Sequence, residues 1–145
     1  MYETKEARRV TPFYYIATPY TKYKAGREQA FEDAAKAAAK FLDMGFLVYC
    51  PIAHTHPIEK YVEEVAVDDL DTWLLVDRPF MEAASGLFVV MMPGWEASSG
   101  VQREIETFKA AGKSVTLWDW PDLSSGMRYD CSYGKVGANG NQEKS

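Results

Sequence analysis

A glutamate that follows a loop of small residues is the strongest candidate for chemistry in this sequence. Glu104 follows the loop Ser98-Ser99-Gly100 by about one helical turn, so its carboxylate can point back toward that loop. The free N–H groups of a helix start, together with nearby hydroxyls, suit an anion. We therefore expect a reactive carboxylate beside an anion site. The commoner role of a first-turn carboxylate, which is to cap the turn or offset the helix dipole, stays open at this point.

A second group of carboxylates lies in an acidic stretch that we expect to be helical. Asp69, Asp71 and Asp77 share this stretch with apolar residues, and by default such acids lie on a solvated helix face. Pro79 disfavours helical geometry at the residue before it, so we expect the helix to break or kink there. This break would leave Asp77 beside an interruption.

Two histidines form the third candidate group. His54 and His56 lie in the proline-flanked segment 51–57, which we expect to be a loop after a strand. Nothing nearby supplies a third and fourth ligand, so hydrogen bonding to backbone or to a bound molecule is favoured over a metal site. No Gly-x-Gly-x-x-Gly follows the first predicted strand and no Walker lysine motif is present, so no cofactor is expected.

The composition bounds the class of protein. The chain has 145 residues, of which 47% are hydrophobic, and this is enough for one domain with a sizeable core. The net charge of −5, with no basic stripe, argues against a nucleic-acid polymer and leaves a small anionic ligand possible. Cys50 and Cys131 have no metal or disulfide spacing. With no signal peptide and no apolar run of membrane-spanning length, we expect a cytoplasmic protein.

Hydrophobic periodicity predicts alternating strands and helices that would hold these residues at one edge of a sheet. The predicted strands are Phe13–Ala17, Phe46–Cys50, Leu87–Met91 and Ser114–Trp118, and the predicted helices are Arg27–Met44, Ile58–Ala84 and Val101–Ala111. The pattern indicates a single α/β domain with a doubly wound, flavodoxin-like parallel sheet of four or five strands, flanked by helices. We expect a loose leader at 1–12, the domain at 13–120 and a polar tail at 121–145 that is disordered from Gly137.

From Tyr14 to Trp118 the sequence resembles the nucleoside 2-deoxyribosyltransferase superfamily, and within it the DUF1937 type of small bacterial and phage proteins. The residues that carry the resemblance are Tyr15-Ile16-Ala17-Thr18-Pro19, Tyr49-Cys50-Pro51-Ile52-Ala53-His54-Thr55-His56, Trp73 with Asp77, Gly94-Trp95 through Glu104, and Ala111-Gly112-Lys113. Each piece is weak alone, and the ordered set is fairly specific to the superfamily.

The resemblance implies roles for three residues. It implies that Glu104 attacks the anomeric carbon of a sugar to form a glycosyl ester, which water or another base then takes. It implies that Asp77 assists departure of the base, with Asp69 and Asp71 as competing choices for this second carboxylate. It also implies that Tyr15 orients the nucleophile.

One departure from the superfamily pattern concerns the phosphate. Relatives that act on free nucleosides usually carry an aspartate where this chain has Ser98, whereas a serine is expected in relatives that hydrolyse deoxynucleoside 5′-monophosphates. Hydroxyls and helix N–H groups favour a phosphate that a carboxylate would repel. The remaining substrate-binding residues that we expect are Ser99, Gly100, Gly94, Trp95, Thr18, Pro19, His54, His56 and Asp69, with charge added by Lys22, Lys24 or Arg27.

We therefore expect an N-glycosidase that acts on a (deoxy)nucleoside 5′-monophosphate. Base exchange on free nucleosides, a nucleotide-binding module without chemistry, and cleavage of a related N-glycoside such as a nicotinamide bond remain alternatives. Relatives also assemble, so we expect a homodimer or larger homo-oligomer whose interface uses the aromatic residues Tyr20, Tyr23 and Tyr61.

Overall fold

A mixed sheet organises the fold. The computed structural model describes residues 11–63, 69–124 and 126–128 of the chain. Its strands are β1 Tyr14–Ala17, β2 Val48–Tyr49, β3 Gly86–Val90, β4 Ser114–Trp118 and β5 Met127–Arg128. They lie in the order β2-β1-β3-β4-β5. The first four are parallel, and this order is that of a flavodoxin-like sheet, which confirms the predicted fold. The short β5, within the segment assigned to the tail, pairs antiparallel with β4.

Four α-helices flank the sheet within the described ranges. They are α1 Arg27–Asp43, α2 Pro51–Glu59, α3 Leu70–Ala83 and α4 Ser99–Ala110, and a short 3₁₀ turn, Trp95–Ala97, precedes α4. The bounds of α1 and α4 lie close to those predicted from their apolar stripes, because both helices bury one face on the sheet.

The prediction of a loop at 51–57 was wrong, and of the helix predicted from Ile58 to Ala84 the structure confirms the part from Leu70 to Ala83. The segment after β2 is helical from its first residue because Pro51 occupies the first helical turn, where its fixed φ is favourable and its missing N–H costs nothing. The next helix starts only at Leu70, where the Asp69 side chain caps it. Residues 64–68 lie outside the described part of the chain.

The predicted break at Pro79 was also wrong. Helix α3 continues through Pro79 to Ala83. Met81 and Ala84, which follow the proline, are both buried against the sheet. Packing of this apolar face therefore outweighs the local cost of the proline, as tertiary contacts often do with weak local preferences.

The core has two halves, one on each face of the sheet. Alternating strand residues separate them: Tyr15 faces α3 and α4, whereas Ile16 faces α1. Tyr14 stacks on Phe88 with ring centroids 4.4 Å apart, on the same side as Ile16. Burial of both faces accounts for the continuous apolar runs of β1 and β3.

Some sequence predictions fall on residues outside the described ranges. These are most of the leader at 1–12, Cys131 and the disordered tail from Gly137. Among the described residues, none of the helices combines the length and the apolar character that crossing a membrane requires.

We predict that Phe41→Ala lowers the free energy of unfolding by about 3–5 kcal/mol, because it removes a fully buried ring and leaves a cavity. Phe41 contacts the rings of Phe46, Phe88 and Trp118. The matched control is Leu42→Ala on the same helix, at a side chain that is 53% exposed, where the expected cost is below about 0.5 kcal/mol. Urea unfolding of both variants measures this difference, and equal losses would contradict the assigned core.

Candidate active site

A cavity of about 440 Å³ opens where β1 and β3 end. Its walls come from the segment that follows β1, from α2, from α3 and from the segment that joins β3 to α4. The carboxyl edge of a parallel sheet is where ligands bind in this class of fold. The cavity is large enough for a small organic molecule.

Glu104 lies in this cavity and is held from below by β1. Its side chain is only 8% exposed, and the Tyr15 hydroxyl donates a hydrogen bond of 3.0 Å to its Oε2. Burial raises the pKa of Glu104 to about 8, the Tyr15 hydrogen bond opposes this shift, and the negative charge of Asp77 adds to it. Burial, followed by the charges of these two acids, raises the pKa of Tyr15 far above its usual range, so Tyr15 remains a donor.

Asp77 is the second buried carboxylate of the cavity. It is 8% exposed, and its Oδ1 has no hydrogen-bond partner among the residues the structure describes. Burial raises the pKa of Asp77 to about 6. The two acids therefore titrate as a pair between about pH 6 and 8 and share one proton near neutrality. The Tyr15 O–H lowers the pKa of both acids, and since Glu104 has the higher pKa, the shared proton resides mainly on Glu104 in the free protein.

The other two candidate aspartates have structural partners. The Asp69 side chain caps α3 and accepts bonds from the Thr72 backbone N–H at 3.3 Å and hydroxyl at 2.8 Å. The exposed Asp71 accepts a 2.8 Å bond from Arg103. Neither lines the cavity, so the structure brings only Asp77 of the three beside Glu104.

The small-residue loop lines another wall of the cavity. Ser98, Ser99 and Gly100 all face it. Ser98 Oγ accepts the Val101 N–H at 3.3 Å, which caps α4 and leaves the hydroxyl proton free to bond a ligand. The bond from Gln102 N–H to the Ser98 carbonyl begins the helix, so the N–H groups of Ser99 and Gly100 precede the intrahelical ladder. This wall supplies donors for an anion.

The remaining predicted binding residues divide into two groups. Thr18, Pro19 and Gly94 line the cavity, and Gly94 has the positive φ of 88° that its turn requires. Trp95 instead packs against the core around Tyr15 and does not line the cavity, which leaves it the role of anchoring the loop.

The basic residues proposed for phosphate binding also differ in position. Lys22 lines the cavity, whereas Lys24 and Arg27 do not. The Arg27 guanidinium lies 5.6 Å from the centre of the Tyr20 ring.

The two histidines lie behind the cavity wall and do not line it. The His54 ring is exposed, beside the rings of Tyr49 and Phe80, with centroid distances of 6.1 and 6.4 Å. Its charge lowers the pKa of Asp77, against the larger effect of burial. His56 bonds within the chain: its Nδ1 lies 2.6 Å from the Tyr20 hydroxyl.

The aromatics predicted for a subunit interface are engaged differently from the expectation. Tyr20 and Tyr23 are half-buried and bond side chains of their own chain, with Tyr23 donating to Asp33 at 2.7 Å. Tyr61 is 77% exposed, so of the three it alone presents a free surface in the described part of the chain. Assembly stays a prediction.

Sequence reasoning missed part of the cavity wall. Ile52, Thr55 and Glu59 line it from α2, a helix that the sequence analysis took for a loop followed by another helix. Trp73 and Leu74 line it from α3. Trp73 could have been found, because it precedes Asp77 by about one helical turn and therefore lies on the same face.

The described residues contain no group of three or more histidine, cysteine, aspartate or glutamate side chains arranged to hold a metal ion. A family model described as a domain of unknown function, DUF1937, matches residues 12–120. A search of curated proteins found no significant match to the chain.

We predict that Glu104→Gln stabilises the protein by about 1–2 kcal/mol at pH 8, because it removes a carboxylate that is buried at a cost. The folded-state pKa of Glu104, about 8, is above its ordinary value of 4.5, so the folded wild type binds more protons than the unfolded chain between these pH values. Wild-type stability should therefore fall as pH rises through this range, and the advantage of Glu104→Gln should grow with it.

Urea unfolding at pH 5 and pH 8 measures this difference. The matched control is Glu106→Gln, an exposed carboxylate on the same helix, which should change stability little at either pH. A stability gain for Glu104→Gln that does not depend on pH would contradict the assigned burial and charge state.

Proposed function

We propose that this chain, which belongs to the DUF1937 family, is an N-glycosidase that cleaves the base–sugar bond of a (deoxy)nucleoside 5′-monophosphate. One observation carries the proposal: the Glu104 carboxylate is buried in a cavity, oriented by the Tyr15 hydroxyl, and accompanied by a second buried acid, Asp77. A carboxylate that is buried at a cost to stability and fixed by one donor is typical of a nucleophile.

The wall formed by Ser98, Ser99 and Gly100 supports a phosphate as the anchoring group. It offers the helix N–H groups of α4, the proton of the Ser98 hydroxyl and the positive end of the helix dipole. Lys22 adds a positive charge at the same cavity. Glu104 belongs to α4 as well, so a phosphate seated at this helix start would bring the attached sugar within reach of the carboxylate.

The pair of acids supports a two-step displacement with retention at the anomeric carbon. In the reactive form the shared proton has moved from Glu104 to Asp77. A Glu104 oxygen then forms a bond to C1′ as the bond from C1′ to the base nitrogen breaks, and Asp77 gives its proton to the departing base. Water then attacks C1′ of the glycosyl ester, Asp77 takes a proton from that water, and Glu104 leaves as the carboxylate. The products are the free base and the sugar 5-phosphate.

We predict that Glu104→Gln lowers the rate of base release by at least about 10³-fold, because the variant lacks the nucleophile. The assay incubates the protein with a panel of natural and 5-substituted nucleoside and deoxynucleoside 5′-monophosphates and follows free base by chromatography. Glu106→Gln is the matched control and should retain wild-type activity, since its side chain is exposed on the same helix.

Three outcomes would overturn the proposal or redirect it. If every monophosphate stays intact, the N-glycosidase proposal fails. If wild type and Glu104→Gln bind a monophosphate equally and neither releases base, the chain is a binding module. If an added second base is incorporated into a new nucleoside, the activity is transfer instead of hydrolysis.

A further prediction concerns pH and the Asp77 proton. Because the active form carries one proton on the pair, kcat should fall below about pH 6 and above about pH 8. Asp77→Asn should lower kcat by about 10²–10⁴-fold. It should also abolish the alkaline limb, because the variant has no Asp77 proton to lose, and leave one acid limb set by protonation of Glu104, whose pKa burial keeps above its ordinary value.

The measurement is kcat against pH for wild type and for Asp77→Asn on the same monophosphate. Titration of the substrate phosphate is common to both enzymes, so a difference between the two profiles belongs to the pair. An unchanged bell-shaped profile in Asp77→Asn would remove Asp77 from the acid role.

A further inference from the structure

A third carboxylate lines the cavity and has no part in the chemistry proposed above. Glu59 lies at the end of α2 and is half-buried in the cavity wall, together with Tyr20. The Tyr20 hydroxyl donates a 2.9 Å bond to Glu59 Oε1. A carboxylate at this place repels a phosphate, so it must face a part of the ligand that carries hydrogen-bond donors.

A chain of hydrogen bonds fixes Glu59 from behind. His56 Nδ1 lies 2.6 Å from the Tyr20 hydroxyl, and His56 Nε2 lies 2.9 Å from Glu28 Oε1 on α1. The Phe31 ring stacks on the imidazole with centroids 4.5 Å apart, and the Arg27 guanidinium lies over the Tyr20 ring. Glu59, on α2, is therefore connected through the Tyr20 and His56 side chains to Glu28 on α1.

The number of protons in this series of hydrogen bonds determines to which residue the Tyr20 hydroxyl donates. Tyr20 has one O–H, and with both glutamates ionised a bond to Glu59 leaves the Tyr20 oxygen to accept from His56 Nδ1–H. His56 Nε2 must donate to the carboxylate of Glu28. The His56 ring thus lies between the Tyr20 hydroxyl and the Glu28 carboxylate and holds both in place.

The apolar residues that line the same cavity as Glu59 suit a flat ring. Pro19, Pro51, Ile52, Trp73 and Leu74 supply apolar surface, and the Thr55 hydroxyl already donates to the Pro51 carbonyl at 3.0 Å. Among the charged residues that line the cavity, Glu59 is the carboxylate outside the reactive pair. It is thus placed to accept hydrogen bonds from a ring substituent while the apolar residues cover the ring.

We propose that Glu59, held by Tyr20, is a specificity-determining residue that selects substrates whose base carries an exocyclic amino group. This inference rests on the proposed function and deepens it by naming the substrate class. A carboxylate accepts from the 4-amino group of cytosine but meets the 4-oxo group of uracil as one acceptor facing another. Amino-bearing bases are therefore favoured over uracil and thymine.

The pair dCMP and dUMP tests this inference, because at ring position 4 the first carries an amino group and the second an oxo group. Wild type should hydrolyse dCMP with a kcat/KM about tenfold or more above that for dUMP. Glu59→Gln should bring this ratio close to one, because an amide both accepts and donates. Tyr20→Phe should also lower the ratio, since it frees the carboxylate, whereas the control Glu106→Gln should keep the wild-type ratio.

Hydrolysis with a dCMP to dUMP ratio near one in wild type, or with a ratio that Glu59→Gln leaves unchanged, would overturn the role of Glu59 and leave the proposed function intact. If no monophosphate is hydrolysed, the proposed function fails. The role of Glu59 is then tested separately by measuring ligand binding with calorimetry. In the Glu104→Gln background, dCMP should bind about tenfold tighter than dUMP, and the added Glu59→Gln should remove that difference. Equal binding of dCMP and dUMP to the Glu104→Gln variant would overturn the inference.

Discussion

The hydrogen bond from Tyr15 to Glu104 is the constraint on which the site depends. It joins the central strand β1 to α4 and places a carboxylate where water is largely excluded. Such burial is costly without a donor, and Tyr15 supplies one from a position that the neighbouring strands β2 and β3 hold on both sides. Val101, Ile105 and Phe108 fix α4 against the same face of the sheet. The packed core, and not a loop, therefore positions the Glu104 carboxylate.

The parallel sheet could be predicted from the sequence because continuous apolar strand segments alternate with amphipathic helices along the chain. The error at 51–57 arose because prolines and histidines dominate that segment and hide a helix whose apolar stripe is weak. The helix across Pro79 was missed for a related reason: burial of Met81, which depends on the finished fold, outweighs the preference of one residue.

The site was predictable where spacing along one element decides it. The position of Glu104 behind Ser98–Gly100 needs only local periodicity, whereas the role of Tyr15 was implied by the family resemblance. The choice among three aspartates needed tertiary structure, because capping by Asp69 and the ion pair of Asp71 with Arg103 are not visible in the spacing. Glu59 could not be found without recognising α2, because its place in the cavity wall depends on that helix.

The charge of the cavity favours one orientation of the proposed nucleotide ligand. Three carboxylates line the cavity beside Lys22 and the start of α4, so a phosphate is tolerated only near that helix start. The proton held by the buried pair reduces the repulsion between these two acids and a bound anion, and the bond from Tyr20 holds Glu59 in place on α2. Phosphate at α4, sugar at Glu104 and base toward Glu59 is the order that separates like charges. In the proposed complex, the same arrangement would bring C1′ of the sugar to the Glu104 carboxylate.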